Sequence, residues 1–270
     1  MVQNETKKDY LALNINSLPY FRGLLRAVEA QVYQEYDFPR PIYDLGCGDG
    51  HFESITFDEK IDVGLDPWAA PLKEAVRTDG YDLVIQGNGD CVPFPNGTFN
   101  SAFSNSVLEH IPNVDAVIKE TNRILSMDAP FIFCVPNHQF LSNLSISNFL
   151  DRIHLKKLAD IYRSFFNKIS RHHHCDSPEV WRERLETYGF EILDYWHYFS
   201  PHAFHLLEWG HYFGLPSLIS KKLFGKWILL PEKWNLALTR AMLQSAYDEE
   251  RRQENGAYSF YIAKKVKNLI

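Results

Sequence analysis

The chain has 270 residues, of which 45% are hydrophobic and 23% are charged, and its formal net charge is −6. This length and composition are those of an ordinary folded protein that can bury a large core. The negative charge argues against non-specific binding to a nucleic-acid backbone, so nucleic acid is not an expected partner. No uncharged apolar run reaches the roughly 20 residues that a membrane-spanning helix requires.

The four cysteines, Cys47, Cys91, Cys134 and Cys175, contain no C-x-x-C pair. They therefore suggest neither a zinc knuckle nor a disulfide framework. Reduced thiols are typical of the cytoplasm, which is the expected location of the protein.

The first half of the chain alternates between short apolar runs and amphipathic helical segments. Residues 17–36 have apolar residues at helical spacing, with Ser17 as the expected N-cap. The alternation that follows predicts βαβ units and a parallel sheet with both faces covered, and it stops near Asn137. The five predicted strands are PRPIYDLG, KIDVGLDP, YDLVIQGNGD, FNSAFSNSV and PFIFCVPN.

The second half of the chain follows a different pattern. It begins with a polar and aromatic segment, after which a helix ends at Gly189. Two further predicted strands, FEILDYWHYF and AYSFYIAKKV, flank an aromatic-rich helical insert. The expected division is a core of residues 1–137, 179–199 and 258–270, a substrate segment of residues 138–178, and a helical insert of residues 200–257.

The first strand ends in a glycine-rich turn, DLGCGDG, in which Gly46, Gly48 and Gly50 alternate with other residues. Glycines let the backbone approach a ligand closely, because no Cβ intervenes and positive φ costs little. In an open parallel sheet, ligands bind beyond the carboxyl ends of the strands. The spacing does not fit the dinucleotide motif GxGxxG, whose third glycine would replace His51, and no Walker lysine is present.

Three acids, Asp44, Asp66 and Asp90, follow three successive predicted strands. A carboxylate at the end of the second strand can accept hydrogen bonds from both hydroxyls of a ribose. Three acids suit a ligand with a cationic amino-acid part, a ribose and an adenine amine, but they would repel a pyrophosphate. S-adenosylmethionine matches that description and is the expected cofactor.

In these motifs the sequence resembles the class I S-adenosylmethionine-dependent methyltransferases, in particular the small-molecule, type 11 kind. The resemblance rests on YDLGCGDG, VGLDP, GDCVPFPNGTFNSAFSNSVLEHIPN and ETNRIL, within residues 40–137. It implies an α/β fold with a Rossmann-like, mostly parallel sheet of seven strands, the last of them antiparallel. Helices would cover both faces, with helical caps after strand 5 and between strands 6 and 7. Asn100 replaces the usual aspartate and SMDAP replaces KPGG, but neither change removes a cofactor-binding group.

The resemblance also implies which side chains contact the cofactor. The glycine turn would pass under its methionine part, with Asp44 near the ammonium, Asp66 on the ribose and Trp68 near the adenine. Tyr20 and Arg22 would cover the site near the cofactor carboxylate. The full expected set is Tyr20, Arg22, Asp44, Gly46, Cys47, Gly48, Gly50, Asp66, Pro67, Trp68, Asp90, Cys91, Ser104 and Asn105.

Methyl transfer is an in-line displacement, in which the enzyme aligns the reactants and supplies a base where the acceptor is protonated. His110, His138 and His174 are candidate bases, with structural roles as the alternative. The run from His172 to His174 is open to three interpretations: a solvated loop, a substrate contact or base, or a metal site. Adjacent side chains point apart, so the three cannot all bind one metal. No metal is expected.

The expected reaction is methyl transfer to oxygen of a small-molecule, lipid-linked or glycan acceptor. The alternatives are an RNA or protein methyltransferase, or a scaffold that binds the cofactor without catalysis. Residues 195–235 contain four of the six tryptophans, which form either the core of the insert or a hydrophobic substrate slot. The stretch SLISKKLFGKWILLPEKWNLALTR, which starts within this range, combines basic and apolar residues. This combination suits peripheral contact with an anionic membrane, and a solvated basic face is the alternative.

Overall fold

The computed structural model describes residues 8–269, so the outermost residues of the expected core, 1–7 and 270, lie outside the described part. Its centre is a seven-stranded sheet. In chain order the strands are β1 (Ile42–Leu45), β2 (Ile61–Asp66), β3 (Tyr81–Gln86), β4 (Ser101–Asn105), β5 (Pro130–Pro136), β6 (Phe190–Tyr198) and β7 (Tyr258–Lys265).

The strand order across the sheet is β3-β2-β1-β4-β5-β7-β6. Strands β1 to β5 pair in parallel, whereas β7 pairs antiparallel with both β5 and β6. This arrangement confirms the predicted fold class, a Rossmann-like and mostly parallel sheet. The chain reverses direction across the sheet between β1 and β4, and such a switch point opens a crevice at the carboxyl ends of the strands.

Helices cover both faces of the sheet and occupy the two segments predicted to be helical, after β5 and between β6 and β7. A 3₁₀ turn, Leu108–His110, follows β4. Within residues 8–269 the α-helices are α1 (Tyr10–Ile15), α2 (Tyr20–Tyr33), α3 (His51–Thr56), α4 (Ala69–Thr78), α5 (Val114–Ile124), α6 (Ser145–Arg152), α7 (Lys156–Ser170), α8 (Pro178–Thr187), α9 (Pro201–Phe213), α10 (Leu215–Phe224) and α11 (Lys233–Tyr247).

A hydrophobic core lies on each face of the sheet, and strand β5 contributes side chains to both. Successive strand residues point to opposite faces. Phe131 and Phe133 accordingly join the core beneath α5 and α8, where the Phe133 ring lies 5.2 Å from that of Trp181. Ile132 and Cys134 join the core on the other face, which α2, α9 and α11 cover. A strand buried on both faces reads as a continuous apolar run, as PFIFCV does.

The helix predicted over residues 17–36 begins later than expected. Helix α2 starts at Tyr20, directly after Pro19, so the predicted N-cap at Ser17 is wrong. Proline fixes φ and donates no hydrogen bond, so it suits a helix start. The Ser17 hydroxyl lies instead 3.2 Å from His51 Nε2, which ties this loop to the start of α3.

Helix α10 is packed unlike its neighbour α9. Helix α9 buries five of its residues, Phe204 and Leu207 among them, whereas α10 buries none. Leu223 and Phe224 at the end of α10 are 68% and 63% exposed. None of the helices within residues 8–269 combines the length and apolarity that a bilayer-spanning helix needs.

Candidate active site

A cavity of about 860 Å³ opens at the carboxyl ends of β1, β2 and β4. Its wall is formed by the glycine turn after β1, the junction between β2 and α4, and the 3₁₀ turn after β4. Two arginines of α2 complete it. The volume lies within the range of small-molecule sites, about 300–1,000 Å³, and the place is the switch point of the sheet.

The glycine turn brings bare backbone to the cavity wall. Gly46 and Gly48 have φ angles of +91° and +55°, which side chains disfavour. The amides of Gly46 and Cys47 both donate to the Leu65 carbonyl, at 2.8 and 3.0 Å, which joins the turn to β2. A Cβ on Gly46 would lie 2.4 Å from Val107 Cγ1, whereas one on Gly48 would meet nothing within 4 Å. Gly48 therefore leaves space for a ligand.

Asp66, the last residue of β2, has a carboxylate that the backbone holds in place. Its Oδ1 accepts the Trp68 amide at 2.8 Å, and its Oδ2 accepts the Gly48 amide at 3.1 Å. Burial raises the pKa of Asp66, and these two hydrogen bonds oppose the rise. Each carboxylate oxygen has a second acceptor site, so the group can receive two ligand hydroxyls. The Trp68 side chain also lines the cavity, and the residue is 71% exposed.

Asp44, predicted to meet the cofactor ammonium, does not line the cavity. It is 1% exposed and accepts a hydrogen bond from the Tyr81 hydroxyl at 2.5 Å. Glu53 of α3 lines the cavity instead, and within residues 8–269 its Oε2 has no hydrogen-bond partner. Burial raises the pKa of both acids, that of Glu53 to about 7. The sequence signal for Glu53, an acid in the first turn after the glycines, was missed.

Two arginines on α2 reach the cavity, of which only Arg22 was predicted. Arg26 is four residues further on and so lies on the same helix face. It pairs with Glu29 at 2.8 Å and donates to the Asn105 carbonyl at 3.3 Å. Among the described residues no hydrogen bond or ion pair engages the guanidinium of Arg22, so this group can bind a ligand. Tyr20 lies outside the cavity.

The ends of β3 and β4 contribute only part of their predicted residues. Asp90 lines the cavity from a loop beyond β3, whose last residue is Gln86, rather than from a strand end. Asn105 also lines it, while the Ser104 hydroxyl is buried and donates to the Leu45 carbonyl at 2.8 Å. The cavity thus brings together Arg22, Gly46, Cys47, Gly48, Asp66, Pro67, Trp68, Asp90 and Asn105, and leaves out Tyr20, Asp44, Gly50, Cys91 and Ser104.

Of the three candidate bases, His110 lines the cavity. Its Nδ1 lies 3.1 Å from the Arg171 carbonyl. Because a carbonyl only accepts, Nδ1 carries the proton, and in the neutral ring Nε2 has a free lone pair. Burial lowers the pKa of His110, which favours that neutral ring.

The other two candidate bases lie outside the cavity. The His138 ring is 5.9 Å from the ring of His197. His174 uses both ring nitrogens for contacts within the protein: Nε2 is 3.0 Å from the Ile111 carbonyl, and Nδ1 is 3.3 Å from an Asp176 carboxylate oxygen. These contacts give His174 a structural role in holding its loop.

A family model described as "Methyltransferase domain" matches residues 21–195, well over half of the chain. The chain belongs to the class I S-adenosylmethionine-dependent methyltransferases. This finding confirms the resemblance drawn from the motifs, the enzyme class and the cofactor. The match runs from α2 into β6 and includes every cavity-lining residue except Leu18.

Two curated relatives match a smaller part of the methyltransferase. It is 29% identical over 101 residues to malonyl-[acyl-carrier protein] O-methyltransferase of Legionella pneumophila, covering 35% of this chain and 36% of that protein. It is 33% identical over 134 residues to an uncharacterized protein of Methanocaldococcus jannaschii, covering 48% of this chain and 50% of that protein. The chain thus spans half or less of the length of these relatives.

Solved structures share the fold over nearly the whole methyltransferase. A methyltransferase of Thermotoga maritima superposes with a TM-score of 0.55 at 14% identity, covering 92% of this chain and 91% of that one. Geranyl diphosphate C-methyltransferase of Streptomyces coelicolor, solved with S-adenosyl-L-homocysteine, gives 0.54 at 13% identity, covering 89% and 76%. At such identities the likeness concerns the fold.

Proposed function

We propose that this methyltransferase transfers the methyl group of S-adenosylmethionine to oxygen of a small-molecule acceptor, including a hydroxyl carried by a lipid or a glycan. The observation that carries the proposal is the position of His110, whose unprotonated Nε2 belongs to a residue of the cavity wall. The cofactor supplies an electrophilic methyl group on a sulfonium. The chain has to align the acceptor and accommodate the proton of its hydroxyl.

We assign the cofactor to the glycine-turn side of the cavity. Glu53, with its unpartnered oxygen, suits the ammonium, and the Arg22 guanidinium suits the carboxylate. The fixed carboxylate of Asp66 suits the two ribose hydroxyls. Trp68 and Asp90 then face the adenine, and Gly48 leaves space beneath the methionine part. The free amide nitrogen of Asn105 adds a donor at the same wall.

The acceptor oxygen follows from what His110 offers. A hydroxyl is a poor nucleophile until its proton is held by a neighbouring base, and a neutral imidazole performs that task near neutral pH. Burial keeps His110 neutral, and the Arg171 carbonyl orients its ring. The Legionella relative is named as an O-methyltransferase, which agrees with this assignment.

Tritiated methyl transfer into fractionated cell extract tests the reaction. We expect the purified protein to label the small-molecule, lipid or glycan fraction, and Asp66→Ala to abolish the labelling. His110→Asn should reduce the labelling while binding of S-adenosylhomocysteine stays unchanged. Label in the RNA or protein fraction, or cofactor binding without any label, would contradict the proposal and favour the RNA, protein or scaffold alternatives.

We further propose that residues 138–178 and 200–257 form the acceptor side of the enzyme, and that α10 contacts an anionic membrane. Helix α10 leaves Ile219, Leu223 and Phe224 exposed beside Lys221 and Lys222. Apolar side chains next to basic ones suit the boundary between head groups and acyl chains. Such contact would present a lipid-linked acceptor to the protein.

Sedimentation with vesicles tests the membrane contact. We expect the wild type to pellet with phosphatidylserine-containing vesicles at low salt, and the double variant Leu223→Ser/Phe224→Ser to remain in solution. Val76→Ser is the matched control, because Val76 is 69% exposed on α4, outside the proposed surface. Equal pelleting of the wild type and the double variant would reject this surface.

A further inference from the structure

A buried carboxyl and two imidazoles meet where the 3₁₀ turn contacts the loop after α7. Each of Glu109, His110 and His172 offers one potential ligand atom, and these atoms all lie within 4.8 Å of one another. Within residues 8–269 this is the one group of three or more His, Cys, Asp or Glu side chains placed to share a metal ion. The methyl-transfer assignments above use His110 of this group and leave Glu109 and His172 without a role.

The loop that carries His172 is fastened to Glu109 through the backbone. The amides of His173 and His174 both donate to the Glu109 carbonyl, at 2.7 and 3.2 Å. His172 is therefore held beside the 3₁₀ turn irrespective of its own side chain. Its ring lies 5.2 Å from that of His110 and meets Phe140 edge-on at 4.7 Å, so the imidazole is packed in one orientation.

The Glu109 side chain is buried with one of its two carboxyl oxygens unpaired among residues 8–269. The residue is 1% exposed, and within the described residues its Oε2 makes no hydrogen bond. A buried, unsatisfied carboxylate oxygen is costly unless a cation or a donor meets it. The other oxygen, Oε1, lies 3.7 Å from His110 Nε2. A cation held between this carboxyl group and the two rings would satisfy the unpaired oxygen.

The two imidazoles each have an unprotonated nitrogen with a lone pair available near the Glu109 carboxyl group. Nδ1 of His110 donates to the Arg171 carbonyl, so its Nε2 is the free nitrogen. Nδ1 of His172 lies 3.6 Å from the Cys175 sulfur, which leaves its Nε2 available.

We propose that Glu109, His110 and His172 bind a divalent transition-metal ion of the Zn²⁺ or Co²⁺ kind at the edge of the cavity. Two histidines and one glutamate are a ligand set of catalytic metal sites that keep an open position. Ligand atoms about 2.0–2.2 Å from one ion lie about 3.3–3.6 Å apart in a tetrahedral site. The 3.7 Å between Glu109 Oε1 and His110 Nε2 is close to that separation, and the limit of 4.8 Å for the whole group requires the side chains to move slightly closer on binding.

The proposal deepens the proposed function and rests on it for its role in the reaction. Because His110 lines the cavity, an open coordination position would lie where an acceptor oxygen can reach it. A bound cation would orient that oxygen and lower the pKa of its hydroxyl, and the hydroxyl proton would leave to solvent water at the open cavity instead of passing to His110. Of the three consecutive histidines only His172 belongs to the site, which agrees with neighbouring side chains pointing apart.

Metal titration of untagged, chelator-treated protein tests the site without cofactor or acceptor. We expect Co²⁺ to produce saturable visible absorption at one equivalent, and Zn²⁺ to displace it in calorimetry. Glu109→Gln and His172→Asn should each weaken the affinity for Co²⁺ by more than the about 10–100-fold that changes to outer-shell residues cause. His173→Asn is the matched control, since it changes an exposed histidine of the same run.

The outcomes separate this site from the methyl-transfer proposal. Absence of saturable Co²⁺ binding, unchanged binding in Glu109→Gln, or an equal loss in His173→Asn would overturn the metal site, the last outcome by showing adventitious binding to surface histidines. Circular dichroism of each metal-free variant shows whether its fold is retained, and Glu109→Gln nearly preserves side-chain shape. Methyl transfer that persists without metal would leave the proposed reaction intact.

Discussion

The proposed cofactor region, residues 40–137, and the helical insert, residues 200–257, use their side chains in opposite ways. In the cofactor region the functional groups are fixed by backbone contacts, as the two amides on the Asp66 carboxylate show. In the insert, α9 is packed into the core while all of α10 remains unburied. The difference indicates that cofactor binding is constrained by the sheet, whereas the surface of the insert can change without disturbing it.

The largest expected effect tests the packing difference within the insert itself. Phe204 is fully buried, so Phe204→Ala should lower the free energy of unfolding by about 3–5 kcal/mol. Phe224 is 63% exposed, so Phe224→Ala should change it by less than about 0.5 kcal/mol. Chemical denaturation measures both variants. Similar losses would mean that α10 is packed against something in solution.

A second prediction concerns the backbone-held carboxylate. Asp66→Ala should weaken binding of S-adenosylhomocysteine by about 100-fold or more, because hydrogen bonds to a charged group contribute about 1.5–3 kcal/mol each. Asp82→Ala, which removes a carboxylate from the exposed edge strand β3, is the control and should bind normally. Titration calorimetry provides the comparison. Equal affinities for the two variants would remove Asp66 from the cofactor site.

Comparing Gly48 of the glycine turn with Gly225 separates the loss of ligand space from the cost of positive φ. Gly48 and Gly225 both have positive φ, +55° and +73°, and a Cβ on either would meet nothing within 4 Å. Both alanine variants should lose about 1 kcal/mol of stability. Only Gly48→Ala should also weaken cofactor binding, by about tenfold, which corresponds to about 1.4 kcal/mol. An unchanged affinity would show that the cofactor does not approach Gly48.

The smallest expected effect is a pH dependence due to Glu53. Burial raises its pKa from 4.5 to about 7, so the folded protein retains a proton that the unfolded chain releases at lower pH. This contribution to stability is complete below pH 4.5 and is lost as the pH rises through about 7. Between about pH 4.5 and 7 the thermal midpoint of the cofactor-free protein should fall by about 2–4 °C per kcal/mol lost.

Glu53→Gln should remove most of that fall in the thermal midpoint, since the amide does not titrate. Glu74→Gln, on the exposed side of α4, should leave the fall as in the wild type. The neighbouring Asp44, whose pKa burial also raises, accounts for the part that remains in Glu53→Gln. If the thermal midpoints of the wild type and Glu53→Gln fell equally with pH, Glu53 would be excluded as the source of the pH dependence.

The sequence predicted those parts of the fold and site that depend on local order along the chain. The sequence alone shows the apolar runs of the strands, the alternate glycines and the acid at the end of β2. Their positions in the fold follow from strand geometry and from the binding edge of a parallel sheet. Asp44, one position before the end of β1, lies in the core rather than at the cavity wall. Tyr20 lies two residues before Arg22 and so does not share the helix face that reaches the cavity.

Glu53 and Arg26 follow local signals that were missed, whereas the pairing of Glu109 with His172 depends on a contact between distant segments. Glu53 and Arg26 reach the cavity only because α3 and α2 pack across the same strand ends. The pairing of Glu109 with His172 requires the loop after α7 to return to the 3₁₀ turn, a contact between residues more than sixty apart. Contacts of this kind leave no periodic signal in a single sequence. The choice between a base and a structural role for His110 likewise required its burial and its hydrogen bond to be known.

The position of β7 between β5 and β6 has a consequence during synthesis. Residues 137–257 must emerge from the ribosome before β7 can fill the gap, so the facing edges of β5 and β6 remain open in the nascent chain. Open edges of apolar strands readily pair with other chains. A ribosome that stalls within the insert would therefore release an aggregation-prone fragment, and we expect such nascent chains to associate with chaperones until β7 has been translated.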